Sequence, residues 1–159
     1  MSTVLEHYTK DDILSRTTIR QGDERLAQLI RTVDVVACTI ANSIPHKFII
    51  VGIGEDFGVR ANPGRGRADR AFQSFLNYFL NMQVNRFFPA ESVAILGAVV
   101  ATTSVEDDNI EALREATAAN DHTVSAVIRR ITELGAIPIV IGAGHNNAYG
   151  CLKGSSEAK

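Results

Sequence analysis

The stretch Ala136-Ile-Pro-Ile-Val-Ile-Gly-Ala-Gly-His-Asn-Asn-Ala-Tyr-Gly-Cys-Leu-Lys153 decides how the rest of the chain is read. Its apolar run, Ile137 to Ile141, is rich in β-branched residues and bounded by Pro138 and Gly142, which predicts a strand buried in a parallel sheet. The bend Gly142-Ala-Gly144 then lifts the chain off the carboxyl edge of that sheet, where open α/β sheets bind ligands. His145 is the first side chain with chemistry beyond the bend and is therefore the leading site candidate. Taken alone, a histidine at a strand end is more commonly a hydrogen-bonded structural residue than a ligand.

Working upstream, Ile110, Leu113, Thr117, Asn120, Val124, Val127, Ile131 and Leu134 recur at spacings of three and four. They predict one long helix, or two collinear pieces broken near Asn120-Asp121, opened by a Ser104-x-x-Asp107 capping box and closed by Gly135. Ser92 to Val100 is almost continuously apolar and reads as a strand. Phe72, Phe75, Leu76, Phe79 and Leu80 trace one face of a preceding helix, and such an aromatic stripe is core packing rather than a cofactor box. Phe48 to Ile53 is the first strand, followed by a glycine- and arginine-rich loop from Gly54 to Arg67. The order is strand, helix, strand, helix, strand, loop. The expected fold class is therefore α/β, three-layer, with a parallel sheet and right-handed crossovers. Further upstream, Asp23 is placed to cap a helix carrying Leu26, Ala27 and Ile30; Thr32 to Ala41 fits strand or helix; and Asn42-Ser-Ile-Pro45 ends it. Residues 1–19 are polar and weakly patterned, and read as an N-terminal arm.

A chain of 159 residues, 45% hydrophobic and 21% charged, suits one domain with a proper core. A net charge of -2 supplies no basic field, so no nucleic-acid partner is expected. The start, Met1 to Asp12, lacks a basic segment followed by an apolar run and does not read as a signal peptide. Val33 to Ile40 is broken by Asp34 and falls far short of the roughly 20 residues a bilayer requires, so no membrane partner is expected either. Cys38 and Cys151 make neither a disulfide scaffold nor a zinc spacing, and a cytoplasmic location fits them.

Two segments carry a family resemblance. Gly142-Ala-Gly-His-Asn-Asn-Ala-Tyr-Gly150 resembles the glycine-glycine-glycine-histidine motif of the ureohydrolases, the arginase, agmatinase and formimidoylglutamase family. Phe48-Ile-Ile-Val-Gly-Ile-Gly-Glu-Asp-Phe-Gly-Val-Arg-Ala-Asn-Pro-Gly64 resembles the first strand and loop of its formimidoylglutamase-like branch, with Gly54 where members usually carry proline. Ala143 replaces the middle glycine, which leaves the bend possible if its φ is negative. The resemblance runs over roughly residues 20 to 159 and implies the N-terminal part of a single arginase-like domain, with only the N-terminal half of its sheet. It implies a binuclear manganese enzyme that hydrolyses a linear amidine C–N bond, with formimidoylglutamate giving glutamate and formamide in histidine breakdown. Arginine or agmatine as the small-molecule substrate stays open beside it, and family members usually assemble as homo-oligomers.

By that resemblance His145 is a manganese ligand, while Asn146 and Asn147 lie near the substrate. For the two asparagines, loop capping is an equal alternative. Arg60, Arg65, Arg67 and Arg70 cluster nearby, and Arg60 lies inside the family-like loop, where a guanidinium fork would suit a carboxylate-bearing substrate. Surface ion pairs to Glu55, Asp56 or Asp69 are the plainer reading of these arginines. A two-ion site needs several converging carboxylates and imidazoles. The family's Asp-x-His-x-Asp motif and later aspartate pair are absent, and His7, His46 and His122 lie in the arm, at the wrong strand end and on a helix. The expectation is therefore a half-site, inactive in isolation. Two readings of other classes stand beside it: a non-catalytic interaction domain, and a nucleotide-binding domain built on Gly52-Ile-Gly-Glu-Asp-Phe-Gly58. The second departs from the dinucleotide pattern, puts Glu55 and Asp56 against a pyrophosphate, and has no helix starting directly after the strand.

Overall fold

The computed structural model of the chain describes residues 3–37, 47–102 and 109–158. In order the elements are β1 (Thr3–His7), α1 (Lys10–Leu14), α2 (Leu26–Leu29), β2 (Arg31–Thr32), β3 (Phe48–Gly54), α3 (Phe57–Ala61), α4 (Ala71–Phe79), β4 (Val93–Ala101), α5 (Ile110–Glu133), β5 (Ile137–Ile141) and α6 (Asn147–Glu157). The sheet runs β1-β4-β3-β5, with β2 also on β4. Strands β2, β3, β4 and β5 run parallel to one another, and among the described strands β1 alone is antiparallel. Leu96 is an extra residue on β4 where Ile50 pairs with Ile95 and Val51 with Gly97. The adjacent Gly97 has φ +136 and lies against the Glu6 carbonyl of β1, so that a side chain there would strike backbone.

Helices cover both faces of the sheet, which makes the fold a three-layer α/β structure. On one face Phe72, Leu76 and Leu80 of the α4 region join Ile13, Leu26 and Ile30 over Ile50 and Ile95. On the other, Val124, Ile128 and Ile131 of α5 pack on Ile49, Val51, Ile53 and Val99. Helix α6 lies against α5, and Gly150 and Gly154 make that approach possible: side chains there would meet Val124 and the Ser125 carbonyl. The aromatic stripe is core, as its spacing predicts.

The N-terminal residues depart from the irregular arm read in the sequence. β1 pairs with β4 from Thr3↔Ala101 to His7↔Gly97, and Ile13 is fully buried. Short elements with local caps escape a periodicity reading. Thr9 and Asp12 cap α1 reciprocally, and the Lys10 ammonium donates to the carbonyls of Ala27 (2.7 Å), Gln28 (3.1 Å) and Ile30 (2.7 Å), closing the end of α2. Asp23 does not cap a helix; it accepts from Arg25 (2.6 Å) and Gln83 (3.0 Å), and α2 begins only at Leu26. The ambiguous segment starts as strand β2 and turns at Val35–Ala37; its continuation, the Asn42–Pro45 break, Cys38 and His46 lie outside the described residues. So does the proposed Ser104–Asp107 box. The described cap of α5 is Asn109, whose side-chain Oδ1 accepts from the backbone amides of Glu111 (3.0 Å) and Ala112 (3.2 Å). Helix α5 is continuous through Asn120-Asp121, and Gly135 follows it at φ +81.

Strand β5 corrects one expectation. It is parallel but not buried: Ile137 is 49% exposed and Ile139 36%. Among the described residues its one neighbour is β3, and Ile139 borders an open hollow with Phe75 and Phe79 of α4. Pro138 lies inside the strand rather than at its boundary. The Ile137 amide donates toward β3, to Lys47 (2.8 Å), so by alternation the missing N–H of Pro138 falls on the open edge, where a strand tolerates proline.

Candidate functional site

β3 connects to β4 on one side and has β5 on the other, so the loops leaving β3 and β5 diverge at a topological switch point. The two family-like segments meet there. After β5 the chain turns through Gly142 at φ +113 and Ala143 at φ +58. The negative φ assumed for Ala143 is not what the bend uses. The chain must turn sharply over β3, and a side chain at Gly142 would stand 2.7 Å from the Ile53 carbonyl. Holding alanine in the left-handed region costs about 1 kcal/mol.

His145 emerges from this bend exposed to solvent. It faces a hollow of about 360 Å³ lined by Gly58, Val59, Asn62, Gly64 and Asn146. Behind it lies a buried polar cluster centred on Glu55, the residue following β3. Glu55 is 2% exposed and collects three donors: the Asn146 amide (3.2 Å) and Asn147 amide (2.6 Å) on Oε1, and the backbone N–H of Phe57 (2.6 Å) on Oε2. Asn147, 4% exposed, also donates to the Gly144 carbonyl (3.3 Å), and its own oxygen accepts from Asn120 (2.7 Å). Both ends of the Asn147 amide are therefore occupied within the chain. Asn146 lines the hollow, and its side chain is wedged where a methyl group on Gly58 or Gly144 would collide with it. Small residues are required there by the asparagine.

Beside the cluster, burial pushes the Asp121 carboxyl above its ordinary range, helped by the Glu55 carboxylate. Burial, and then Asp121, push the Cys151 thiol up. Neither effect favours a thiolate nucleophile at neutral pH. Arg60 stands apart, 3.6 Å from Asp56, in a neighbouring hollow of about 600 Å³ with Pro63, Gly64, Gly66, Arg67 and Ile110; Gly64 borders both hollows. His7, on β1, lies 3.7 Å from Asp34, and His122 is exposed on α5. Neither joins His145.

The described residues do not fit a two-manganese site. Among them no three His, Cys, Asp or Glu side chains converge. Glu55, the carboxylate behind the His145 loop, is committed to its three donors. The sequence reading missed this hub and took Glu55 for a surface partner of arginines. A signal was available: Asn120 falls on a largely apolar helical stripe, and Glu55 directly follows a wholly apolar strand. A helix does start just after that strand, contrary to expectation. The Glu55 carboxylate occupies its first amide, that of Phe57, where a pyrophosphate would have to bind. Among the described residues no helix is long and apolar enough to cross a membrane.

The chain is similar to formimidoylglutamases. It is 29% identical over 114 residues to the formimidoylglutamase of Rhodococcus opacus (strain B4), and 28% identical over 114 residues to that of Rhodococcus jostii (strain RHA1). Each match covers 72% of this chain and 31% of the relative, so the chain spans about a third of the length of these relatives. No family model and no solved structure matches it. The likeness is distant, and it is to the branch that the two segments resemble.

Proposed function

We propose that this chain is the N-terminal portion of an amidinohydrolase that cleaves the C–N bond of a linear amidine, and that formimidoylglutamate is the substrate class. One observation supports the reading above the others: the two segments resembling that family, far apart in sequence, close on each other at the carboxyl ends of adjacent parallel strands. In this reading His145 contributes one metal-ligand position, Asn146 borders the substrate, and Asn147 contributes through the loop it holds. Arg60, next to that hollow, would receive the substrate carboxylate through its guanidinium fork. Because the described ligand set is incomplete, the isolated chain is expected to be inactive.

The test is intact mass and metal content of the protein purified from its source, with turnover of formimidoylglutamate measured on the isolated chain plus manganese. A mass well above 17.2 kDa with bound manganese supports the reading. Turnover by the isolated 159-residue chain would overturn the half-site. A 17.2 kDa protein without metal would favour the second reading, a non-catalytic interaction domain. The half-open β5, and the exposed Tyr149 and Leu152 on α6, speak for that alternative.

A further inference from the structure

We infer that Glu55 is the positioning residue of the His145 loop, acting through Asn146 and Asn147 and fixing the direction of a hydrogen-bond chain that reaches helix α5. The inference rests on the reading of that loop as the site, and it concerns a residue that touches neither the hollow nor His145.

The direction follows from chemistry. An ionised carboxylate only accepts, and so does the Gly144 carbonyl. Asn147 therefore turns its amide nitrogen to both, at 2.6 and 3.3 Å. Its oxygen is left facing α5, so Asn120 must supply a nitrogen, at 2.7 Å. The Asn120 oxygen is then left buried without a donor, as is that of Asn146. Two unsatisfied amide oxygens are a cost that an apolar filling would not incur. The chain tolerates it while one acceptor-only group ties the first turn after β3, the bend after β5 and the middle of α5 together. His145 lies next to both asparagines and has no described side-chain partner to fix it in their place.

The experiment follows the His145 ring resonance by NMR in the metal-free chain, assigned by its loss in His145→Gln, with His7 on β1 as internal reference. In Glu55→Gln an NH2 group replaces one acceptor oxygen and must confront either the Phe57 N–H or the two asparagine amides. The His145 signal should move, and amide exchange at Ala148 should quicken by about tenfold or more. Adding Asn147→Asp restores an acceptor opposite the new donor, and the double variant should recover most of the wild-type signal and exchange rate. Asn120→Asp, made on α5 away from the loop, should reverse the Asn147 amide and move His145 as well; it serves if Glu55→Gln fails to fold. A folded Glu55→Gln or Asn120→Asp chain with an unmoved His145, or a double variant whose effects merely add, overturns the inference. The functional reading fails differently. Absence of any broadening of His145 by Mn2+ in the protein from its source would remove that reading and leave the positioning role intact.

Discussion

β3 and β5 are almost the same strand by composition, Phe48-Ile-Ile-Val-Gly-Ile-Gly54 against Ile137-Pro-Ile-Val-Ile141, and they stand in opposite circumstances. β3 is bonded on both edges and covered on both faces, so Ile49, Val51 and Ile53 are essentially inaccessible. Among the described residues β5 is bonded on one edge; Val140 packs beneath α5 while Ile137 and Ile139 are partly exposed. An apolar run records what a strand could bury. Whether it does so depends on how many neighbours the topology gives it. The difference matters for the site because the loop carrying His145 follows the weaker strand, and Glu55, just after the stronger one, accepts from that loop's Asn146 and Asn147.

The contrast is broken most directly by truncating matched isoleucines. Ile49→Ala should destabilise the chain by about 3 kcal/mol, the cost of a fully buried large-to-small change, whereas Ile137→Ala should cost less than about 1 kcal/mol. Urea unfolding of both variants measures this; equal costs would mean that β5 is covered in solution. Gly52→Ala sharpens the β3 side. Its new methyl would press into the Phe72 ring beneath α4, for an expected loss of about 2 kcal/mol by the same measurement. On the β5 side, Ala143→Gly relieves the positive φ at the bend and should raise stability by at most about 1 kcal/mol, less the added freedom of glycine in the unfolded chain.

The smallest effect is electrostatic and lies where the two loops meet under α5. Folding raises the Asp121 carboxyl above its unfolded value, so the folded chain binds more protons between those two values. Stability therefore falls as pH rises through that window and is constant above it. Asp121→Asn should remove this dependence, leaving the variant more stable than the wild type at neutral pH and level with it in acid. Thermal unfolding at several pH values checks the sign; a variant less stable at neutral pH would mean that the charged form is favoured by a contact the fold does not display.

Much of the α/β order was legible because it rests on long periodic runs. The α4 stripe, β4 and the helical character of α5 follow from side-chain spacing over nine or more residues, while the continuity of α5 through Asn120-Asp121 did not. β1 and α1 were missed because each is only five residues long, and α2 was expected with the wrong cap; their stability comes from pairing with β4 and from Lys10 closing α2 across the chain. At the site, His145 and its loop were visible as residue types in a pattern. Glu55 was read as an ion-pair partner because carboxylates near arginines commonly are, and nothing local to Gly54-Glu-Asp56 reveals that Asn146 and Asn147, more than 90 residues later, will donate to it.

By itself the sequence determined which segments are strands and helices in the core and where an imidazole follows a strand, because side-chain periodicity and glycine stereochemistry are local properties. The tertiary structure alone decided that β5 is an edge among the described strands, that Ala143 takes a left-handed φ, and that Glu55 is the buried acceptor beneath the histidine loop. Those depend on which residues distant in sequence share a boundary, and burial, strain and hydrogen-bond polarity are set at that boundary.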